Sequence, residues 1–153
     1  MNNNITRSIL FLAVGFYVIS LFLPGIIYSG DQKMYGYFIL GFGWLGMVHG
    51  VFAWFANPLF LLALIRARVE KPKTILVTAS AAFILGLTAF MLRSIPNLDT
   101  EGPDVDHLSI GYYVWMTSIA LLAIYAYRKM TEEKNTLPTD EQKMDSSQDA
   151  QIR

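Results

Sequence analysis

Four runs of apolar residues, separated by short polar stretches, account for most of the first 130 positions. They extend from about Ile9 to Ile27, Gly41 to Ile65, Thr74 to Leu92 and Leu108 to Tyr127. A hydrocarbon core about 30 Å thick is crossed by roughly 20 residues of helix, and each run meets or approaches that length. The pattern predicts an all-α membrane protein with four transmembrane helices in an antiparallel bundle, occupying residues 1–130. In the second run apolar residues begin near Tyr35, which is too early for one straight span. Either the stretch MYGYFILG lies along the interface or the helix tilts. The first span has a rival reading as a secretory signal peptide with Arg7 as its charged start. Its length and the poor match of Ile27 and Ser29 to a small-residue cleavage site argue against that.

Beyond Arg128 the pattern changes. Charges and amides predominate, and large apolar residues almost disappear. The fourth helix is expected to run one or two turns past the membrane through TEEK, with Leu137-Pro138 ending it. Residues 131–153 are expected to form a flexible, polar cytoplasmic tail, because they cannot bury enough surface to fold alone.

Composition supports the membrane reading: 54% of residues are hydrophobic and the mean hydropathy is +0.39. Twelve basic and twelve acidic residues cancel, so no global field points to nucleic acid as a partner. The chain has no cysteine, which excludes disulfides, thiol catalysis and thiolate metal sites. Along the chain the basic residues are unevenly placed. Arg7 precedes the first span, Arg66, Arg68, Lys71 and Lys73 fill the turn between the second and third, and Arg128 and Lys129 follow the fourth. The opposite connections hold only Lys33 and Arg93. By the positive-inside rule both termini are expected in the cytoplasm, in a chain of the bacterial inner-membrane type. Tyr28, Tyr35, Tyr37, Tyr112, Tyr113 and Trp115 then fall near the outer interface, where amphipathic rings settle.

Helices in lipid associate through close approach of small side chains. In the second span Gly43, Gly46, Gly50, Ala53 and Asn57 follow a three, four, three, four spacing, which is one stripe of a continuous helix. The third span offers Ala79, Ala82, Gly86, Ala89 and Arg93 at the same spacing. The short turn between these spans makes them antiparallel neighbours, so the two stripes are expected to face each other or the bundle centre. A homo-oligomer seam is the alternative use of either stripe.

Three polar positions inside the second run need a reason. Pro58 cannot donate to the carbonyl of Trp54, so a kink is expected there, with the freed carbonyl satisfied by a nearby polar group. Asn57 is placed to reach Thr78 or Ser80 of the third span. The packing reading makes Asn57 and Pro58 a bent, hydrogen-bonded knot; the functional reading makes them a hinge or an ion-coordinating break. His49 falls about 12 Å into the membrane by helical rise from Gly41. It reads either as a neutral histidine bonded between helices or as part of a polar ligand cavity. Arg93 is a further candidate for a polar network, pairing with Asp99.

Asp99, Glu101, Asp104, Asp106 and His107 lie close together in the third connection, but their spacing does not match a calcium loop, and no metal or other cofactor is expected. The chain carries no HExxH, GxSxG or P-loop motif and no carboxylate at membrane depth, so it does not read as an enzyme. The expectation is a protein that acts by binding: an accessory, regulatory or immunity-type protein that docks on another membrane protein. A small-solute or ion transporter, or a channel subunit working as a homo-oligomer, is the alternative.

Overall fold

The computed structural model describes residues 3–68, 71–92 and 104–136. It is mostly helical. Helix α1 (Asn3–Phe22) leads into strands β1 (Pro24–Tyr28) and β2 (Gln32–Tyr35). The chain continues through helix α2 (Gly36–Phe42), a 3-10 helix at Gly43–His49, a short 3-10 turn at Ala53–Phe55 and helix α3 (Ala56–Arg66). Helix α4 (Pro72–Leu87) tightens into a 3-10 turn at Thr88–Met91, and strand β3 (Val105–Leu108) precedes the long helix α5 (Ile110–Thr136).

Among the described residues, three helical stretches are long and apolar enough to cross a membrane: Ile5–Phe22, Pro72–Met91 and Ile110–Asn135, of 18, 20 and 26 residues. Large apolar side chains point outward along them, among them Phe11 and Val18 on α1, Val77 and Ile84 on α4, and Ile124 on α5. Such surfaces fit lipid as solvent; in water they would form patches of the kind that drive association.

Around the core, α1 packs on α5, α5 on α4, and α4 on α3. The buried positions follow helical spacing. On α4 they include Ile75, Ala79, Ala82 and Gly86, and on α5 Tyr112, Met116, Ile119 and Ala126. Alanines recur at these positions, and their small side chains let the helix backbones approach. Phe60 of α3 reaches the centre and stacks on Tyr17 of α1, with ring centroids 4.6 Å apart.

The first departure from the expected bundle is at the ends of the first and fourth spans. Residues 24–27 and Leu108, expected inside helices, belong instead to a three-stranded antiparallel sheet of order β2-β1-β3. Pro24 disfavours helical backbone at Leu23, and the β-branched Ile26 and Ile27 that follow suit a strand. Ile26 pairs with Met34 on one side and with Leu108 on the other. The turn joining β1 to β2 holds Ser29, Gly30 and Asp31 at φ values of 41°, 76° and 69°. Hydropathy counts residues 24–27 as apolar whichever way their backbone runs, so an apolar run extends past the end of the helix.

The second departure is the run from Gly41 to Ile65, which is not one helix. It breaks after Phe42, after His49 and again before Ala56. Pro58 lies in the first turn of α3, where an amide hydrogen would have no intrahelical partner in any case. It therefore opens a helix, and the expected kink is replaced by a start. Pro72 does the same at the first position of α4.

The sheet marks one end of the bundle and the basic residues mark the other. Lys129, about 28 Å along α5 from Ile110 by helical rise, donates to the carbonyl of Ala67 just past α3, at 3.3 Å. This contact caps the C-terminal end of α3 with a cation, where the helix dipole favours one. Thr6 donates to Glu132 at 2.7 Å and joins the start of α1 to the last turns of α5 at that same end. Arg7, Arg66, Arg68, Lys71 and Lys73 are carried on these same terminal turns. The chain thus travels from the sheet end to the basic end between residues 36 and 66, through the broken run.

Candidate functional site

Beneath the sheet, between the ends of the long helices and the broken run, is a cavity of about 290 Å³. Its roof includes Ile26, Met34 and Leu108 of the sheet; Leu45, Val51 and Trp54 of the broken run form one wall, and Tyr112 and Trp115 of α5 another. Asn57 is at its floor.

The asparagine is the junction of the structure. It is buried, at 7% exposure. Its Oδ1 accepts from the Tyr17 hydroxyl at 3.2 Å and from Trp115 Nε1 at 3.0 Å, while its Nδ2 donates to the carbonyl of Trp54 at 3.1 Å. One amide thereby ties α1, α5 and the turn preceding α3 together. The Trp54 carbonyl lies just ahead of α3, outside its hydrogen-bond ladder, and the side chain next to the proline supplies it with a donor. The expected partners on the third span are not used: Thr78 donates within its own helix to Thr74 at 2.9 Å.

The other polar atoms around the cavity are satisfied in the same internal manner. Trp54 Nε1 donates to the Leu40 carbonyl at 2.8 Å, which clips the two arms of the broken run together. Tyr112 donates to the Gly86 carbonyl at 3.2 Å, and Ser20 to that of Tyr17 at 2.6 Å. Among the described residues no buried side-chain nitrogen or oxygen is without a partner. What remains facing the cavity is mostly apolar surface. It suits an apolar guest held by shape, and it offers no charged group to a substrate.

The small residues singled out in the sequence divide into two sets. Gly43, Gly46, Gly50 and Ala53 do not share one helical face, because the helix that would align them is interrupted. A Cβ at Gly43 would be 2.9 Å from Trp54 Cδ1, and one at Gly46 would be 3.2 Å from the Val51 carbonyl oxygen. These two positions let the run fold back on its own next turn. Gly50 ends the 3-10 helix at φ 75°, a left-handed conformation that glycine adopts without penalty. Ala53 starts the next turn and borders the cavity. On the third span, Ala79, Ala82 and Gly86 are buried on α4, and Ala89 is buried in the following turn and borders the cavity. Gly86 meets Met116 and Trp115 of α5, not the second run.

His49 closes the 3-10 helix, and its side chain lies outside the described residues. The depth inferred for it assumed a continuous helix from Gly41, which the break removes. Arg93, Asp99, Glu101 and the tail from 137 onward also lie outside the described residues. Among the described residues no three histidine, aspartate or glutamate side chains come together in a metal-holding group.

Two residues of the knot were not singled out as partners for Asn57. Tyr17 carries the available signal, since it is the one tyrosine within the first span and a buried tyrosine tip requires a partner. Trp115 reads from the sequence as an interface residue; its indole nitrogen donates to Asn57 instead. Compared with known proteins, the chain matches no family model, no curated protein and no solved structure.

Proposed function

We propose that this chain is a polytopic membrane protein that acts by binding, as an accessory, regulatory or immunity-type protein that docks on another membrane protein. In this reading the broken run completes a fourth crossing, so that the helices form an antiparallel four-span bundle. The basic end faces the cytoplasm with both termini, and the sheet faces the other side of an inner membrane. The asymmetry of lysine and arginine between the two ends supports that orientation.

The observation that carries the proposal is the closure of the interior polar groups on one another. Asn57, Tyr17, Trp54 and Trp115 each make their hydrogen bonds within the chain. A transport path or a reaction centre at membrane depth would draw on such groups, whereas a binding protein can commit them to holding its shape. Native mass spectrometry of the tagged full chain, released from its own membranes in mild detergent, tests this. The expected result is a second polypeptide at fixed stoichiometry. A homo-oligomer alone, with solute flux in liposomes that changes on substitution of Asn57, would replace docking with transport.

A further inference from the structure

We infer that the cavity under the sheet is a binding site for one acyl chain of a bilayer phospholipid. The inference goes beyond docking on a protein partner and rests only on the chain spanning a bilayer.

The cavity's chemistry is settled by its walls. Its polar neighbours are engaged by the chain itself: Asn57 by Tyr17 and Trp115, Trp54 by the Leu40 carbonyl and Tyr112 by the Gly86 carbonyl. Water held there would lack the two to four polar partners that an ordered water needs, and an apolar cavity of this kind stays dry or takes an apolar guest. At about 290 Å³ the space is at the small end of ligand pockets. It fits one flexible chain better than a bulky or two-chained body.

The mouth indicates where the guest comes from. Among the residues that border the cavity, Phe38 and Phe42 of α2 are also well exposed at the surface, at 46% and 55%. Their rings pair with centroids 4.8 Å apart. The opening is therefore flanked by apolar rings at the height of the membrane-crossing helices, where the surrounding phase is lipid. The floor is shallow. Tyr17 and Trp115 are each five residues from the sheet-side end of their helix, or about 8 Å by helical rise. A chain entering past Phe38 and Phe42 leaves its glycerol and headgroup at the interface beside the sheet, where Tyr35 and Tyr37 stack with centroids 6.0 Å apart. A phospholipid satisfies both conditions, with an apolar chain for the cavity and a head that never enters it.

The test uses the full chain reconstituted alone in phosphatidylcholine vesicles containing a tracer phosphatidylcholine with a diazirine on one acyl chain. After illumination, labelled residues are mapped by mass spectrometry. Labelling of Phe11 and Val18 on the outer face of α1 serves as the internal reference, since bulk lipid reaches both. The expected result is labelling of Leu45, Val51 or Ile26, falling at least fivefold against that reference when the cavity is filled by Leu45→Trp or, independently, by Val51→Phe. Thermal unfolding of each variant in detergent shows which has kept its fold. Labelling confined to outer faces in the parent chain overturns the inference without any variant. So does labelling inside the cavity that neither folded variant reduces, or extraction of a free fatty acid or a polypeptide segment as the occupant. Because no partner protein is present, failure here leaves the docking proposal standing, and failure of docking leaves this result unchanged.

Discussion

At the basic end, Ala63, Ala67 and Ala126 are enclosed between α3, α4 and α5, and regular helices meet along their small side chains. At the sheet end, small residues are used differently. Gly36 and Gly111 let backbone touch backbone, Gly43 and Gly46 let a broken run fold against itself, and a cavity is left between them and the sheet. The same type of residue builds close-packed order at one end and an irregular chamber at the other. The difference lies in what each small residue faces. An alanine turned toward a neighbouring helix brings two rigid rods together. A glycine turned toward a loop or a helix terminus removes the last steric obstacle to a change of direction.

The sharpest way to break the sheet end is at its two backbone contacts. A Cβ at Gly111 would be 2.7 Å from the Pro24 carbonyl oxygen and 2.9 Å from that of Leu23, and one at Gly36 would collide with the Ser20 carbonyl and Leu21 Cα. Neither neighbour is a movable side chain. Gly36→Ala and Gly111→Ala are each expected to cost about 3 kcal/mol or more, read as a fall in the detergent unfolding midpoint. Gly15→Ala and Gly41→Ala, with nothing within 4 Å of the added Cβ, serve as controls and are expected to be tolerated. Equal effects in both pairs would mean that the sheet does not sit on the helix ends in this way.

Next in size is the knot that separates the two ends. Asn57→Ala removes the acceptor for Tyr17 and Trp115 and the donor to the Trp54 carbonyl. A loss of about 2 kcal/mol is expected, since buried donors are left unpaired. Tyr17→Phe keeps the stack on Phe60 and leaves Trp115 on Asn57, so about 1 kcal/mol or less should be lost. If the two substitutions cost the same, the asparagine is not a three-way junction. Indole emission of Trp115 should also respond to Asn57→Ala.

The smallest effect distinguishes a helix start from a kink. Pro58→Ala should change stability by no more than about 0.5 kcal/mol, because Pro58 is in the first turn of α3, where its missing donor is not needed. A continuous kinked helix from Gly41 to Ile65 would instead gain a hydrogen bond from this change and become measurably more stable.

Much of the basic end was legible in the chain. The apolar lengths and the basic turns depend on local composition, which a linear reading can measure. The cavity was not legible. Gly43, Gly46, Gly50, Ala53 and Asn57 fit a helical stripe by spacing, but Gly50 and the contact of Trp54 Nε1 with the Leu40 carbonyl take the backbone out of that helix. Spacing presumes continuous geometry and cannot report where that geometry stops.

By itself the sequence determined that this protein has helices long and apolar enough for a membrane, and that its basic residues collect at alternate connections. Those properties are sums over neighbouring residues and need no distant contact. The tertiary structure alone decided that Pro24–Tyr28 pairs with Val105–Leu108 across some 80 positions of sequence, and that Asn57 takes its partners from α1 and α5. Strand pairing and buried hydrogen bonds are settled by which unsatisfied groups meet when the chain closes, and that meeting has no local signature.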